Sequence, residues 1–334
     1  MIGLVCHISG AKLPSYRVTS TLIKESNWPR VALLECSRVD KEEKRESHSH
    51  SHDGFYAVKK VLIQTDEQMQ LVKQEIESSK RFKHPNLLPL LDYTIFNIKG
   101  TQDGQWKKEA YLLFPLHKDG TIHDHLQRMQ TRKEHYPPKT VLRLFLQICK
   151  AVSEMHKSDP PYAHNDVKPG NVLLSRKHGA LMAVLMDFGS TRVARWKIRS
   201  RSEALALQEW AAEHCSAPYR APELWDCPSD CDIDERTDVW SLGCTLFALM
   251  YYLSPFERSL GESGGSLALA VISGKVLWPS FSGDPPYPET FHSLVSWMLK
   301  PTPQLRPYVG DVILHAEKLL ANLPGRELDD HEMA

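Results

Sequence analysis

The sequence carries no excess charge of either sign: 41 Lys+Arg face 41 Asp+Glu, a formal net charge of zero over 334 residues. With no global field to gather phosphate backbones, a polybasic nucleic-acid binder is excluded. There is no apolar run long enough to span a bilayer. The longest, residues 242–253, is interrupted by Gly, Cys, Thr and Tyr and falls short of the ~20 residues that a spanning helix needs. The 7 cysteines have no framework spacing, so a disulfide-stapled secreted domain is excluded and reduced thiols in a cytosolic or nuclear compartment are the default. Met1-Ile2-Gly3-Leu4-Val5-Cys6 has no basic or long apolar region that would read as a secretion signal. Ile2 stands where N-myristoylation requires glycine. What remains is ordinary: 42% hydrophobic and 25% charged residues, in a chain long enough for about two domains with real cores.

Residues 40–53 contain no apolar side chain and read as an exposed polar loop joining two short strands, 30–39 and 55–63. His48, His50 and His52 alternate within it. They offer a weak transition-metal site at most, because no cysteine or carboxylate closes the set, and a solvated polar loop is the commoner case. After Thr65 a helix begins, with Thr65 as N-cap, Gln68 completing a capping-box pattern, and Asp66 and Glu67 at the positive end of the dipole. Met69, Val72, Ile76 and Phe82 form its apolar stripe. Glu75 borders that stripe, although a surface charge is the simpler reading of it alone. A second strand pair is expected over 87–96 and 109–116. From Lys139 onward the pattern is mostly helical, with an amphipathic helix over 141–156 and one over 238–253 that is apolar nearly all round and therefore central. A sheet-rich first third and a helix-rich remainder predict an α+β protein of two unequal lobes. Trp225, Trp240 and Trp297 are expected in the core. Cys227 and Cys231 read as free thiols, since no further ligands lie near them to make a zinc site.

The chemistry concentrates in residues 162–174, YAHNDVKPGNVLL. This stretch places the carboxylate of Asp166, the ammonium of Lys168 and the amide of Asn171 in a short loop before an apolar strand. Such a carboxylate can accept or orient a hydroxyl proton, the Lys can steady a transferring phosphoryl group, and the amide oxygen can ligate Mg²⁺. Asp187 in Leu185-Met186-Asp187-Phe188-Gly189 supplies a second hard oxygen. Upstream, Lys59 ends Phe55-Tyr56-Ala57-Val58-Lys59 and Glu75 follows it by sixteen residues; downstream come Ala221-Pro222-Glu223 and Asp238-Val239-Trp240.

In this order the motifs resemble a eukaryotic protein kinase over about residues 16–320. The resemblance implies the bilobal kinase fold: an N-lobe over about 16–114, a hinge at 115–118, a C-lobe over 119–320 and a tail at 321–334. It implies ATP and Mg²⁺ as the reactants and cofactors. Lys59 would hold the α- and β-phosphates and pair with Glu75, Asp166 would be the catalytic base, Lys168 would steady the γ-phosphate, and Asn171 and Asp187 would bind Mg²⁺. Ile23, Val31, Ala57, Phe114 (as gatekeeper) and Leu116 (in the hinge) would contact the nucleotide. Glu223 would pair with Arg306, Asp238 would brace the catalytic loop, and Ser216 would touch Asp166 and Lys168. Asp-Val-Lys-Pro-Gly-Asn is similar to the serine/threonine version of the loop. Residues 202–214 are strong helix formers behind a serine cap, with Leu205 and Trp210 as expected apolar anchors. That helix and residues 234–244 resemble the Numb-associated kinases, and within them the serine/threonine kinase 16 type. The implied partners are protein substrates, with no nucleic acid. A monomer is expected in the cytoplasm, with peripheral attachment to Golgi or other endomembranes implied by the family but unsupported by Ile2.

The sequence departs from the family in two further places. The counterpart of the glycine-rich phosphate loop, residues 23–31, contains no glycine and includes Pro29, so backbone approach to the phosphates loses both conformational freedom and a donor. The catalytic loop reads His164-Asn165-Asp166, in which Asn165 carries no charge to pair with a phosphorylated segment. The alternative to an active kinase is a kinase-fold scaffold that binds ATP weakly.

Overall fold

The computed structural model describes residues 16–20, 31–38, 55–99, 106–177, 180–263 and 265–324. The polar stretch 40–53, the N-terminal residues with Cys6, and residues 23–30 of the phosphate-loop counterpart lie outside them. The chain divides into two compact units, residues 1–83 with 88–118, and residues 84–87 with 119–334.

The first unit holds an antiparallel five-stranded sheet in the order β1-β2-β3-β5-β4. Its strands are β1 (Tyr16–Ser20), β2 (Val31–Arg38), β3 (Phe55–Ile63), β4 (Asp92–Lys99) and β5 (Trp106–Pro115), with helix α1 (Asp66–Arg81) following β3. Period-two alternation in β3 sends Tyr56 and Val58 to one face, where they are buried with Tyr111 and Leu113. Lys60 lies on that face too. Burial opposes its ammonium, but hydrogen bonds to Glu109 and Tyr111 outweigh burial and raise its pKa. The α1 start behaves as expected, with Thr65 accepting from the Gln68 amide at 3.2 Å; the Gln68 side chain returns to the Gln64 amide at 2.7 Å rather than to Thr65 itself. The expected strand over 87–96 begins later, at Asp92. Pro89 lacks a ladder donor, and Leu87 makes an isolated bridge to Leu185 in the second unit's own set of residues.

The second unit runs α2 (Ile122–Arg132), α3 (Pro138–His156), β6 (Tyr162–Ala163), β7 (Val172–Lys177), β8 (Ala180–Leu185), β9 (Arg192–Val193), β10 (Trp196–Ile198), α4 (Arg201–His214), α5 (Pro222–Trp225), β11 (Cys231–Ile233), α6 (Arg236–Tyr251), α7 (Pro255–Ser263), α8 (Leu267–Ser273), α9 (Glu289–Met298) and α10 (Val309–Asn322). The α3 helix starts at Pro138, which suits a first helical position because its missing N–H needs no partner there. Every residue of α6 from Thr237 to Tyr251 is buried, as its all-round apolar sequence predicts. Gly243 is required where α6 meets the end of α9, since a Cβ there would lie 2.8 Å from Leu299 Cδ2. Trp240 is fully buried and stacks on Phe256 with ring centroids 5.3 Å apart. Trp225 and Trp297 are only partly buried, which corrects the expectation that all three are core. With strands dominating the first unit and helices the second, the protein is α+β.

A charge pair secures α5. Arg306 donates to both Glu223 carboxylate oxygens at 2.7 Å, and also to the carbonyls of Lys300, Pro301 and Arg236. Removing one partner of such a buried pair strands the other. Glu223→Gln is therefore expected to cost about 3–5 kcal/mol in urea unfolding. Lys150→Ala, which breaks the exposed 2.9 Å pair with Glu317, should cost under about 1 kcal/mol. Equal losses for the two variants would contradict this assignment.

Candidate active site

In the first unit, β3 register sets Lys59 opposite Val31 and Leu112, and Ala57 opposite Phe114. The Lys59 ammonium meets Glu75 at 2.7 Å. Glu75 is 6% exposed, so its place beside Val72 and Ile76 on α1 turns it inward and not to solvent. Phe114 is buried and Leu116 half-buried. Of the residues with an expected nucleotide contact, Ile23 lies outside the described residues.

In the second unit, the loop after β6 is held from below by Asp238 at the start of α6. This fully buried carboxylate accepts from the backbone amides of His164 and Asn165, each at 2.8 Å, and from His156 Nε2 at 2.9 Å. Burial pushes its pKa up, but the His156 hydrogen bond and the neighbouring donors prevail and hold it below the usual aspartate value. Asn165 adopts a left-handed φ of 64°, a conformation that Asn tolerates better than most residues. Its side-chain amide donates to the carbonyls of Ala163 and Ser190 at 3.1 Å.

These constraints deliver Asp166 with both carboxylate oxygens engaged. Oδ2 accepts from Lys168 Nζ at 2.8 Å and Asn171 Nδ2 at 2.7 Å, while Oδ1 accepts from the Ser216 amide at 2.9 Å. Lys168 also donates to the Ser216 hydroxyl. Because Asn171 Nδ2 additionally donates to the Asp166 carbonyl at 2.9 Å, both amide hydrogens are spent and the side-chain oxygen is the atom left for a cation. The other candidate ligand, Asp187, follows β8 with φ 66° and ψ 80°. Phe188 after it is buried, tilted against His164 at 5.8 Å. Two hard oxygens suit Mg²⁺, which takes few protein ligands and completes its shell with phosphate and water. Among the described residues no group of three or more His, Cys, Asp or Glu could hold a metal ion.

Between Asp187 and Glu223 the predicted helix is present as α4. Its cap is Ser200, which accepts from the Glu203 amide. Its packing differs from the expectation: Ala204, Leu207 and Ala211 are buried beside Ile198, Leu224 and Ile233, whereas Leu205 is 43% exposed. The i, i+3, i+7 spacing of Ala204, Leu207 and Ala211 defines the inward stripe, and Leu205 falls outside it. Trp210 is half-buried and stacks on His214 with centroids 5.0 Å apart. Cys227 and Cys231 are free thiols, with sulfurs 3.9 Å apart.

Two contributors escaped the sequence reading. His156, at the end of an amphipathic helix, is the side-chain donor to Asp238, and its apolar surroundings signalled only burial. Ser190 accepts from Asn165 through its carbonyl and donates its hydroxyl to the His214 carbonyl at 2.6 Å, a link without local signature.

The chain belongs to the protein kinase family: residues 45–316 match the family described as Protein kinase domain. It is 36% identical over 276 residues to serine/threonine-protein kinase 16 of Rattus norvegicus, covering 82% of this chain and 85% of that protein. The human protein of the same name is 35% identical over the same shares. A probable serine/threonine-protein kinase of Dictyostelium discoideum is 32% identical, over 81% of this chain and 88% of its own length. The likeness matches the resemblance to the serine/threonine kinase 16 type drawn from the motifs.

The His164 amide binds Oδ2 and the Asn165 amide Oδ1, so Asp238→Asn would set an NH2 group against one of the two backbone donors and remove the charge that both meet. It should cost about 3 kcal/mol near neutral pH. Because the folded pKa of Asp238 lies below its unfolded value, its contribution is complete above about pH 4 and fades as pH falls through the folded value. The gap between wild type and variant in urea unfolding should therefore be constant from pH 7 to 5 and narrow only in stronger acid. A gap that closes already at pH 6 would contradict this assignment.

Proposed function

We propose that this protein is a serine/threonine kinase that transfers the γ-phosphate of ATP to Ser or Thr hydroxyls of protein substrates. The observation that carries the reading is Asp166, whose carboxylate is oriented by Lys168, Asn171 and the Ser216 amide before any substrate arrives. An incoming hydroxyl would donate its proton toward this carboxylate. Lys168, two residues on, would shift from Asp166 and Ser216 to the transferring phosphoryl group, and Lys59, kept in place by Glu75, would hold the α- and β-phosphates. Mg²⁺ on Asn171 and Asp187 would neutralise charge on the phosphates. The names of the relatives support Ser/Thr as the accepting hydroxyl.

Asp166→Asn, Lys59→Ala and Asp187→Ala should each abolish nearly all transfer from radiolabelled ATP while leaving the unfolding midpoint within a few degrees. Substantial activity in Asp166→Asn would remove that residue from its role.

The glycine-free stretch 23–31 favours a second reading, a kinase-fold scaffold with weak ATP binding. Each charge-assisted hydrogen bond that its backbone fails to make to a phosphate costs roughly 1.5–3 kcal/mol. Gly at Lys24, Ser26 and Asn27 together should then lower the ATP KM at least tenfold; an unchanged KM would mean that ATP is gripped elsewhere. The active reading also includes an active segment arranged without phosphorylation, because Asn165 offers no charge for a phosphate to neutralise. Phosphatase treatment should leave activity on a peptide within about twofold. A collapse of activity, traced by mass spectrometry to a Ser or Thr between Gly189 and Tyr219, would refute it.

A further inference from the structure

Among the described residues, Arg192 pairs with no carboxylate and instead lies against aromatic rings. Arg192 on β9 lies opposite Ala163 of β6, three residues before Asp166. Its guanidinium carbon sits 3.2 Å from the Trp196 ring centroid and 4.0 Å from that of Trp210. Its Nη1 atom is buried without a hydrogen-bond partner, and no carboxylate pairs with it among the described residues. Burial lowers its pKa to about 10, which still leaves it charged at neutral pH. A half-buried guanidinium with one donor atom sealed from water and unpaired is costly, and the faces of two indoles are what compensates it here.

The sandwich closes a circuit. Trp210 belongs to α4 and stacks on His214; the His214 carbonyl holds Ser190, and the Ser190 carbonyl holds Asn165. Two residues beyond His214, the Ser216 amide binds Asp166.

We propose that Arg192 is a positioning residue: clamped between Trp196 and Trp210, it fastens α4 to β9 and so keeps Ser216 on Asp166 without a phosphate. The proposal deepens the phosphotransfer reading and rests on it only for the kinetic part of its test. A planar, weakly hydrated guanidinium fits between two rings where an ammonium does not.

The test compares Arg192→Met, which keeps the apolar stem but loses the cation, with Arg192→Lys and wild type. Amide hydrogen exchange over residues 201–216 should rise at least tenfold in Arg192→Met, with α6 unchanged and Arg192→Lys in between. The kcat should fall at least fivefold while the ATP KM stays within twofold. Wild-type exchange or wild-type kcat in Arg192→Met would overturn the proposal. If Arg192→Met also loosens α6, Trp210→Phe and Trp210→Leu decide: the first should resemble wild type, the second Arg192→Met, and identical behaviour of the two would refute the cation–ring contact. If wild type transfers no phosphate, the activity reading fails, and the exchange measurement alone rules on the clamp.

Discussion

A single buried carboxylate organises the second unit. Asp238 is wholly removed from water, and an isolated anion there would be prohibitive. It survives because two consecutive backbone amides and one imidazole converge on it. The reverse also holds, since those amides belong to a turn with a left-handed residue and would be orphaned without the carboxylate. Each side satisfies the other, and the next residue along, Asp166, inherits a fixed position. The catalytic-loop geometry is thus a by-product of solving a burial problem at the start of the central helix.

Around that anchor the segment from Asp187 to Glu223 is built as a small core of its own. Ile198, Ala204, Leu207, Ala211, Leu224 and Ile233 pack together, and Arg306 ties α5 to the carbonyls before α10 through Glu223. On the α4 side that core is Leu207 between two alanines, with Trp210 packed against it. Contacts at its ends add to that hold: the Ser200 cap, and the His214 to Ser216 contacts that reach Ser190 and Asp166.

Much of this was legible in the sequence wherever a residue's partner is dictated by chemistry. Lys59 with Glu75 followed from the motif order, and Glu223 with Arg306 and Ser216 with Asp166 and Lys168 from the family resemblance. The bonds from Lys168 and Asn171 to Asp166 were not foreseen, since those two residues were expected on phosphate and cation. The helix α6 was plain because, after Asp238, it carries no charge and is apolar nearly all round. Failures came where several partners were equally plausible. Leu205 is a better apolar anchor than Ala204 by residue type alone, yet the helix phase turns Ala204, Leu207 and Ala211 inward and leaves Leu205 exposed. The strand expected at Leu87 starts at Asp92, because local hydrophobicity cannot show that Leu87 pairs with a residue almost a hundred positions on. Ser190 and His156 act through individual hydrogen bonds, which no spacing rule reports.

A segment ordered by its own packing has a consequence for dosage. On the proposed reading there is no reservoir of folded but idle molecules waiting for a modification, so output follows the number of folded chains. Destabilisation by about 1–2 kcal/mol is enough to change cellular abundance several-fold. Substitutions at residues that make no contact with the Asp166 carboxylate, at Gly243 against Leu299 or within the Glu223–Arg306 pair, would then act as volume controls on the activity, lowering how much is made.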